Sequence, residues 1–155
     1  MMNEIVAHND LKIRIEKNFF SPYESGEYLN KFIKLLPWES MTIKMFGKEV
    51  TIPRLQCWIG DENCEYKYSG KKLNRQDWNS ELLKIRKKIK NEFAIDFNSV
   101  LANYYRDGKD SMGWHADDEK ELGPNPTIAS ISFGSERNLF FRNNYTKETL
   151  SIPQE

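Results

Sequence analysis

The feature that most constrains the fold is a change of hydrophobic periodicity near residue 98. Before that point, two segments repeat apolar residues every three or four positions, as an amphipathic helix does. After it, several segments alternate apolar and polar residues, as a half-buried strand does. Helices followed by a run of strands predict an α+β domain with a sandwich or barrel core. We expect a single domain over residues 1–155, because no repeat or linker interrupts the chain.

Both predicted helices can be placed from local signals. Ser21, Pro22 and Glu24 form a capping box with proline at the first helical position, and Pro37 ends the apolar stripe that follows. The second helix is predicted over residues 79–93, where apolar side chains recur at helical spacing.

The predicted strands lie in the spaces between turn signals. The Gly47-Lys48 pair predicts a hairpin turn, and Asp107-Gly108 and Asn143-Asn144 predict two later turns. The strands expected around these turns are Thr42–Phe46, Val50–Ile52, Ser99–Tyr105, Thr127–Phe133, Asn138–Arg142 and Thr149–Ile152.

Charge and composition exclude several classes of protein. The 23 basic and 23 acidic residues balance, which excludes a polycation or an acidic tail. No apolar run is long enough to span a membrane, and the first residues do not resemble a signal peptide. We therefore expect an intracellular protein, cytoplasmic or nuclear. Two cysteines, Cys57 and Cys64, are too few for a disulfide scaffold or a four-cysteine zinc site.

One basic patch stands out against this neutral background. Residues 71–90 hold eight Lys and Arg but only Asp77 and Glu81 as acids. Such a run is typical of a solvated helix face. It is also the only sizeable basic patch that could face the phosphates of a nucleic acid.

The sharpest local motif is the His-x-Asp pair of His115 and Asp117. On a strand, residues two apart project to the same face. An imidazole and a carboxylate so placed can bind one metal ion, as in the two-His-one-carboxylate triad of non-haem Fe(II) oxygenases.

Neighbouring residues add context to this pair. Asn103 and Tyr105 have the same spacing on the preceding predicted strand, although an ordinary strand would also explain them. Asp118 and Glu119 follow directly, and their negative charge would suit a cation or the exocyclic amine of a base.

Several segments together closely resemble the AlkB-like Fe(II)/2-oxoglutarate-dependent dioxygenases, in particular their nucleic-acid demethylase subgroup. The resemblance covers about residues 12–142. It implies a double-stranded β-helix, or jelly roll, with N-terminal helices packed on it. The segments that carry it are Leu101–Gly108, Gly113–Leu122 and Pro126–Arg137, supported in order by Pro53–Asp61, Tyr66–Gly70 and Trp78.

The resemblance also implies a chemistry and a set of roles. Enzymes of this family use Fe(II), 2-oxoglutarate and oxygen to hydroxylate an N-methyl group, releasing succinate, carbon dioxide and finally formaldehyde. The implied roles are metal binding by His115 and Asp117, 2-oxoglutarate binding by Asn103 and Tyr105, and binding of a flipped methylated base by Trp58, Tyr66, Tyr68, Glu119 and, through an arginine, Asp118. Arg54 would be either a phosphate contact or a surface residue.

The sequence departs from the family pattern after His115. The family has a second histidine ligand and a carboxylate-anchoring arginine further along, and neither is found here; His8 lies at the wrong end. We therefore expect the chain to be a fragment that lacks the last strands of the jelly roll. Since even a lost outer-shell partner lowers metal affinity 10–100-fold, weak iron binding and poor turnover are expected.

Three functions remain open at this stage. The first is oxidative demethylation of N-alkylated bases in DNA or RNA, by a monomer that does not contact membranes. The second is a non-catalytic nucleic-acid-binding module, and the third is a related oxygenase acting on protein or lipid. Without the neighbouring motif, packing in a sheet would be the favoured explanation of Trp58, Tyr66 and Tyr68. Retention of both the Asn103/Tyr105 and His115/Asp117 pairs favours an enzyme, because a binding module needs neither.

Overall fold

A computed structural model describes residues 3–8, 11–45, 47–64, 67–68 and 71–154. Within them the chain forms mixed strands and helices, as expected for the α+β class. In chain order the elements are β1 Asn3–His8, β2 Leu11–Glu16, α1 Pro22–Leu35, β3 Glu39–Met45, β4 Lys48–Gly60, β5 Lys67–Tyr68, β6 Lys71–Lys72, β7 Arg75–Gln76, α2 Ser80–Phe93, β8 Ser99–Tyr104, a 3₁₀ turn Lys120–Leu122, β9 Arg137–Arg142 and β10 Thr149–Gln154.

These elements form two compact units. The first comprises Met1–Lys34 and Ala129–Glu155, and the second comprises Leu35–Ile128. The first unit contains two antiparallel hairpins, β1–β2 and β9–β10. Its core is aromatic: the ring of Phe133 lies 5.6 Å from those of both Phe20 and Tyr28 and 6.1 Å from that of Phe32.

Helix α1 begins at the predicted capping box. The Ser21 backbone N–H donates to the Glu24 carboxylate at 2.8 Å, and the Glu24 N–H donates to the Ser21 hydroxyl at 3.2 Å. Two backbone donors at the helix start are thereby satisfied, which is what this motif achieves.

Strand β4 is the centre of the second unit. Antiparallel β3 pairs with its first part, and antiparallel β8 pairs with residues 55–60. Parallel β7 pairs with Trp58 and Ile59. A strand has two edges and β8 occupies one of them along residues 55–60, so β3 and β7 lie along the other edge. Among the described side chains of this sheet, Ile59 is the most deeply buried, at 1% exposure.

Helix α2 is fixed at both ends and along one side. The Asn79 side chain accepts from the Leu82 N–H at 2.9 Å, and Ala94 ends the helix in the left-handed conformation. Arg86 forms a bidentate ion pair with Asp61, at 2.8 and 3.2 Å, and its Nε donates to Asp96 at 3.1 Å. Both interactions tie the helix to the segments that flank the sheet.

The local predictions of helices and hairpins are confirmed. Helix α1, helix α2, the turn between β3 and β4, β8, β9 and β10 fall where the sequence places them, but β4 continues to Gly60, well beyond the predicted Val50–Ile52. The β1–β2 and β5–β6 hairpins and the short β7 were not foreseen. No described helix is both long enough and apolar enough to cross a membrane.

Two strand predictions are wrong. Residues 127–133 and the His115–Asp117 segment form no strand. A strand exists only where its backbone pairs with another strand, and neither segment has such a partner among the described residues. Ser130 and Ser132 instead contact Gln154 of β10 through their side chains, at 3.3 and 3.0 Å.

Candidate metal and co-substrate site

The centre of the candidate site is one face of the β4–β8 pair. Gln56 of β4 lies directly opposite Asn103 of β8. Arg54 and Trp58 are two residues either side of Gln56, so their side chains point to the same face. We call this pair of strands, Lys48–Gly60 with Ser99–Tyr104, the β4–β8 frame.

Arg54 is almost completely buried in this frame, with 2% of its surface exposed. Its Nε donates to the Asn103 side-chain oxygen at 3.0 Å, and its Nη1 lies 3.4 Å from the backbone oxygen of Ser111. The expectation that Arg54 could be a surface residue is therefore wrong, because the strand register directs its guanidinium inward.

The Gln56 amide completes the contacts of Asn103. Its nitrogen lies 2.9 Å from the Asn103 oxygen. Turned round, the Gln56 oxygen would accept from Arg54 at 3.2 and 3.3 Å, but it would then face the Asn103 oxygen. A guanidinium only donates, so Arg54 favours an oxygen at that Asn103 atom and, at 3.2 and 3.3 Å, also at the facing Gln56 atom. The hydrogen bond from Arg54 therefore orients Asn103, and these contacts do not decide which way the Gln56 amide lies.

The loop that follows β8 leads from the frame towards His115, and hydrogen bonds within it hold it in a closed conformation. The Asp110 carboxylate accepts from the Arg106 side chain at 2.7 and 2.9 Å and from its backbone N–H at 2.9 Å. This hydrogen bonding raises the pKa of Arg106. The Ser111 N–H then donates to the Pro53 oxygen at 2.9 Å, which pins the loop to β4.

Tyr105 follows the end of β8 and contacts the same loop. Its hydroxyl lies 3.9 Å from the Met112 sulfur, one residue before Gly113. Asn103 and Tyr105 are thus both connected to the loop that carries the chain to His115, Asn103 through Arg54 and Tyr105 directly.

His115 and Asp117 come together although they do not lie on a strand. The His115 Nε2 is 3.4 Å from Asp117 Oδ1, while its Nδ1 is 3.0 Å from the Gly113 backbone oxygen. With the proton on Nδ1, donated to that oxygen, Nε2 keeps a lone pair for a metal. Two donors that each lie about 2.1 Å from an ion can be at most about 4.2 Å apart, so this pair fits one ion.

The same pair could also form a simple ion pair when His115 is protonated. The side chains are 38% and 43% exposed, so solvent reaches both. The described part of the chain holds no cluster of three or more His, Cys, Asp or Glu placed to bind a metal. Asp118 is exposed and Glu119 is half-buried at the start of the 3₁₀ turn.

The predicted base-binding aromatics are only partly described. Tyr66 lies outside the described residues, and Tyr68 is described only as backbone, in β5. Trp58 is 7% exposed and lines a pocket of about 100 Å³ at the β3/β7 edge of β4. Its neighbours in the pocket include Gln56, Cys57, Glu39, Asn74 and Gln76. Burial, and then the charge of Glu39, raises the pKa of the Cys57 thiol to about 11.

The basic patch at residues 71–90 is less positive in the structure than its composition indicates. Arg75 pairs with Asp77 at 2.8 Å and Lys84 with Glu81 at 2.6 Å. Arg86 and Lys90 pair with Asp61 and Asp96, acids that lie outside the patch in sequence. Such pairing is what the alternative of a solvated helix face predicts.

The sequence analysis did not identify four residues that contribute to the site: Gln56, Asp110, Ser111 and Gly113. The two-residue spacing of Arg54, Gln56 and Trp58, which is that of a strand continuing past Ile52, was a usable signal for Gln56. The backbone oxygens of Ser111 and Gly113 carry no residue-type signal, because every residue has one.

Comparison with known proteins agrees with the resemblance described above. A family profile described as "2OG-Fe(II) oxygenase superfamily" matches residues 12–154. The chain is similar to the human DNA oxidative demethylase ALKBH2, with 38% identity over 119 residues that cover 77% of this chain and 46% of that protein. It is 34% identical to ALKBH2 of Arabidopsis thaliana over 154 residues, which cover 93% of this chain and 47% of the relative.

A second group of relatives bears a different name. The chain is 36% identical to the mouse alpha-ketoglutarate-dependent dioxygenase alkB homolog 3 over 135 residues, covering 84% of this chain and 46% of that protein. The chain spans about half the length of the curated relatives it matches. The AlkB-like resemblance is thereby confirmed, and the fragment expectation stays a prediction.

Proposed function

The chain belongs to the 2OG-Fe(II) oxygenase superfamily, and from that premise we propose that it acts in Fe(II)- and 2-oxoglutarate-dependent oxidative demethylation of N-alkylated bases. DNA is the proposed substrate, because the names of several relatives describe DNA demethylases. The same names give no support to the alternative of a protein or lipid substrate. We also propose that the described sheets belong to a jelly roll within one oxygenase domain.

One observation carries the proposal: His115 Nε2 and Asp117 Oδ1 lie 3.4 Å apart with the opposite ring nitrogen on the Gly113 oxygen. A hydrogen bond from a histidine's second nitrogen to a backbone carbonyl is the usual support of a metal-binding imidazole. In the proposed site these two side chains would hold Fe(II), and the bound iron would supply hydroxylation of the methyl group, with oxygen as the oxidant and 2-oxoglutarate as the electron donor.

The remaining residues have binding roles. Asn103 and Tyr105 hold 2-oxoglutarate, Asn103 by donating from its amide to a carboxylate. Trp58, Tyr66 and Tyr68 stack on an extruded base, which offsets the few kcal/mol that extrusion costs. Glu119 contacts the amino group of that base, and Asp118 acts beside it through an arginine. Arg54, being buried beside Asn103, acts on the site from within the frame rather than on a phosphate.

The test is turnover by the full chain. Fe(II), 2-oxoglutarate and a single-stranded oligodeoxynucleotide with N-methylated bases are supplied, and succinate and formaldehyde are measured. His115→Ala should remove both products, whereas Glu121→Gln, a nearby exposed acid, should leave them unchanged. Products that persist in His115→Ala would contradict the proposed metal site.

A non-catalytic nucleic-acid-binding module is the second candidate. It is favoured by the lack of a cluster of three metal-binding groups within the described residues. Salt-dependent binding to the oligodeoxynucleotide without any metal-dependent succinate would support this candidate over the enzyme.

A further inference from the structure

The hydrogen bond from Arg54 to Asn103 has a consequence for what the Asn103 side chain can bind. Arg54 Nε donates to the Asn103 side-chain oxygen at 3.0 Å. With its oxygen directed at Arg54, Asn103 keeps its amide nitrogen, with two hydrogens, for other partners. That nitrogen is then the part of the Asn103 side chain that a ligand can engage.

The orientation is fixed by charge as well as by geometry. An asparagine amide can be turned by half a rotation at little cost when its surroundings allow both directions. Here the reversed amide would point its NH₂ group at a guanidinium, which has donors only and carries a permanent positive charge. Arg54 is 2% exposed, so water cannot replace the lost acceptor.

The same guanidinium reaches the loop that leads to His115. Its Nη1 lies 3.4 Å from the Ser111 oxygen, while the Ser111 N–H is bound to Pro53, the residue before Arg54. Arg54 therefore contacts both the proposed co-substrate residue and the start of the segment that carries the proposed metal ligands.

We infer that Arg54 is a positioning residue for co-substrate binding: it holds Asn103 as an obligate donor, so that the site accepts a carboxylate and not a ligand that itself donates at that point. This inference rests on the proposed function, because it assigns the Asn103 partner to 2-oxoglutarate.

The experiment is a double-mutant cycle on the full chain, with 2-oxoglutarate affinity measured by calorimetry in the presence of Mn(II). We expect Arg54→Met to weaken binding about 10-fold, as the loss of an outer-shell partner typically does. In an Asn103→Ala background the same substitution should cause no further loss, because Arg54 acts through Asn103.

Two further variants separate positioning from a general structural effect. Arg54→Lys keeps the charge and the aliphatic stem but loses the Nε donor, and it should weaken binding even if Arg54→Met does not fold. Arg75→Lys is the matched control, since Arg75 is another arginine of this unit that donates to a backbone oxygen, that of Gly60, at 2.9 Å. It should leave the affinity unchanged.

The outcomes distinguish this inference from the proposed function. If Asn103→Ala weakens binding but Arg54→Lys and Arg54→Met do not, the inference is overturned and the proposed function stands. If the Arg54 effect persists undiminished in the Asn103→Ala background, Arg54 does not act through Asn103, and the inference is again overturned.

A structural readout covers the case in which the wild-type chain binds no 2-oxoglutarate, which would count against the proposed function. The Asn103 side-chain amide signals, assigned by their loss in Asn103→Ala, should form a single sharp pair in wild type by NMR. They should broaden or double in Arg54→Lys as the amide becomes free to turn. Unchanged signals would overturn the inference independently of any ligand.

Discussion

The β4–β8 frame and the segment 113–119 differ in how their functional side chains are held. In the frame, Arg54 and Gln56 are buried and bound to Asn103 on a paired strand. In the segment, His115 and Asp117 are more than one-third exposed and no strand supports them. The protein therefore orders the proposed co-substrate residue itself, whereas bound metal would contribute to ordering the two proposed metal ligands.

This difference predicts which property, stability or ligand binding, a substitution in each region should change. A change in the frame removes packing or buried hydrogen bonds and should lower the free energy of unfolding. A change in the segment 113–119 removes little packing and should alter metal or base binding with little effect on the free energy of unfolding. The following experiments would break or sharpen that division.

The largest effect is expected for Ile59→Ala in the frame. Ile59 is 1% exposed, and truncation of a buried isoleucine costs about 2–5 kcal/mol of unfolding free energy. Ile128→Ala is the matched control in the same unit, because Ile128 is 52% exposed and should change stability by less than about 0.5 kcal/mol. Urea unfolding of both variants measures the contrast, and equal losses would contradict it.

The next effect concerns Asp117→Ala in the segment 113–119. Loss of a direct ligand should exceed the 10–100-fold cost of losing an outer-shell partner, so Mn(II) affinity should fall more than about 100-fold. The unfolding midpoint without metal should barely move, since the side chain is exposed. A stability loss as large as that of Ile59→Ala would erase the distinction between the two regions.

A smaller effect is expected at the start of α2. Asn79→Ala removes the acceptor for the Leu82 N–H and should lower the unfolding free energy by about 1 kcal/mol. Ser80→Ala, one residue further into the helix, is the control and should be close to neutral. Thermal unfolding measures both; metal affinity should be unchanged in either variant.

The smallest expected effect is a loss of stability at acid pH, where the carboxylates of the ion pairs that hold helix α2 become protonated. Hydrogen bonds from Arg86 lower the pKa of Asp61, and hydrogen bonds from Lys90 and then Arg86 lower that of Asp96. Each carboxylate therefore adds stability that is complete above the ordinary value of 3.8 and is lost as pH falls through the lowered folded-state value.

The expected result is a flat unfolding temperature near neutral pH and a decline below about pH 4. In Arg86→Gln the decline should be shallower, because one partner of both carboxylates is gone. Arg75→Gln removes an arginine from the same unit and should keep the wild-type profile. The effect is small because both carboxylates are partly exposed and solvent screens the pairs.

The predictions made from sequence succeed where the signal is local. The capping box at Ser21 and the stripe of α2 depend only on neighbouring residues, and both helices are confirmed. The strand predicted at residues 127–133 fails because its alternating pattern cannot show whether a partner strand is available. The proximity of His115 and Asp117 follows from their spacing, but the strand that was expected to produce it is not there.

The burial of Arg54 could not be predicted from the sequence, for a different reason. Its burial depends on the register that places Gln56 opposite Asn103, and that register joins residues 47 positions apart. Nothing near Arg54 in the sequence distinguishes a buried guanidinium from an exposed one.

The buried thiol beside Trp58 has a practical consequence for chemical labelling. A pKa of about 11 leaves roughly one Cys57 in ten thousand as thiolate at neutral pH, and the thiolate is the reactive form. Cys64 is partly accessible, so maleimide or iodoacetamide should modify it first. A fluorophore or spin probe could thus be attached at a single position without mutating the other cysteine.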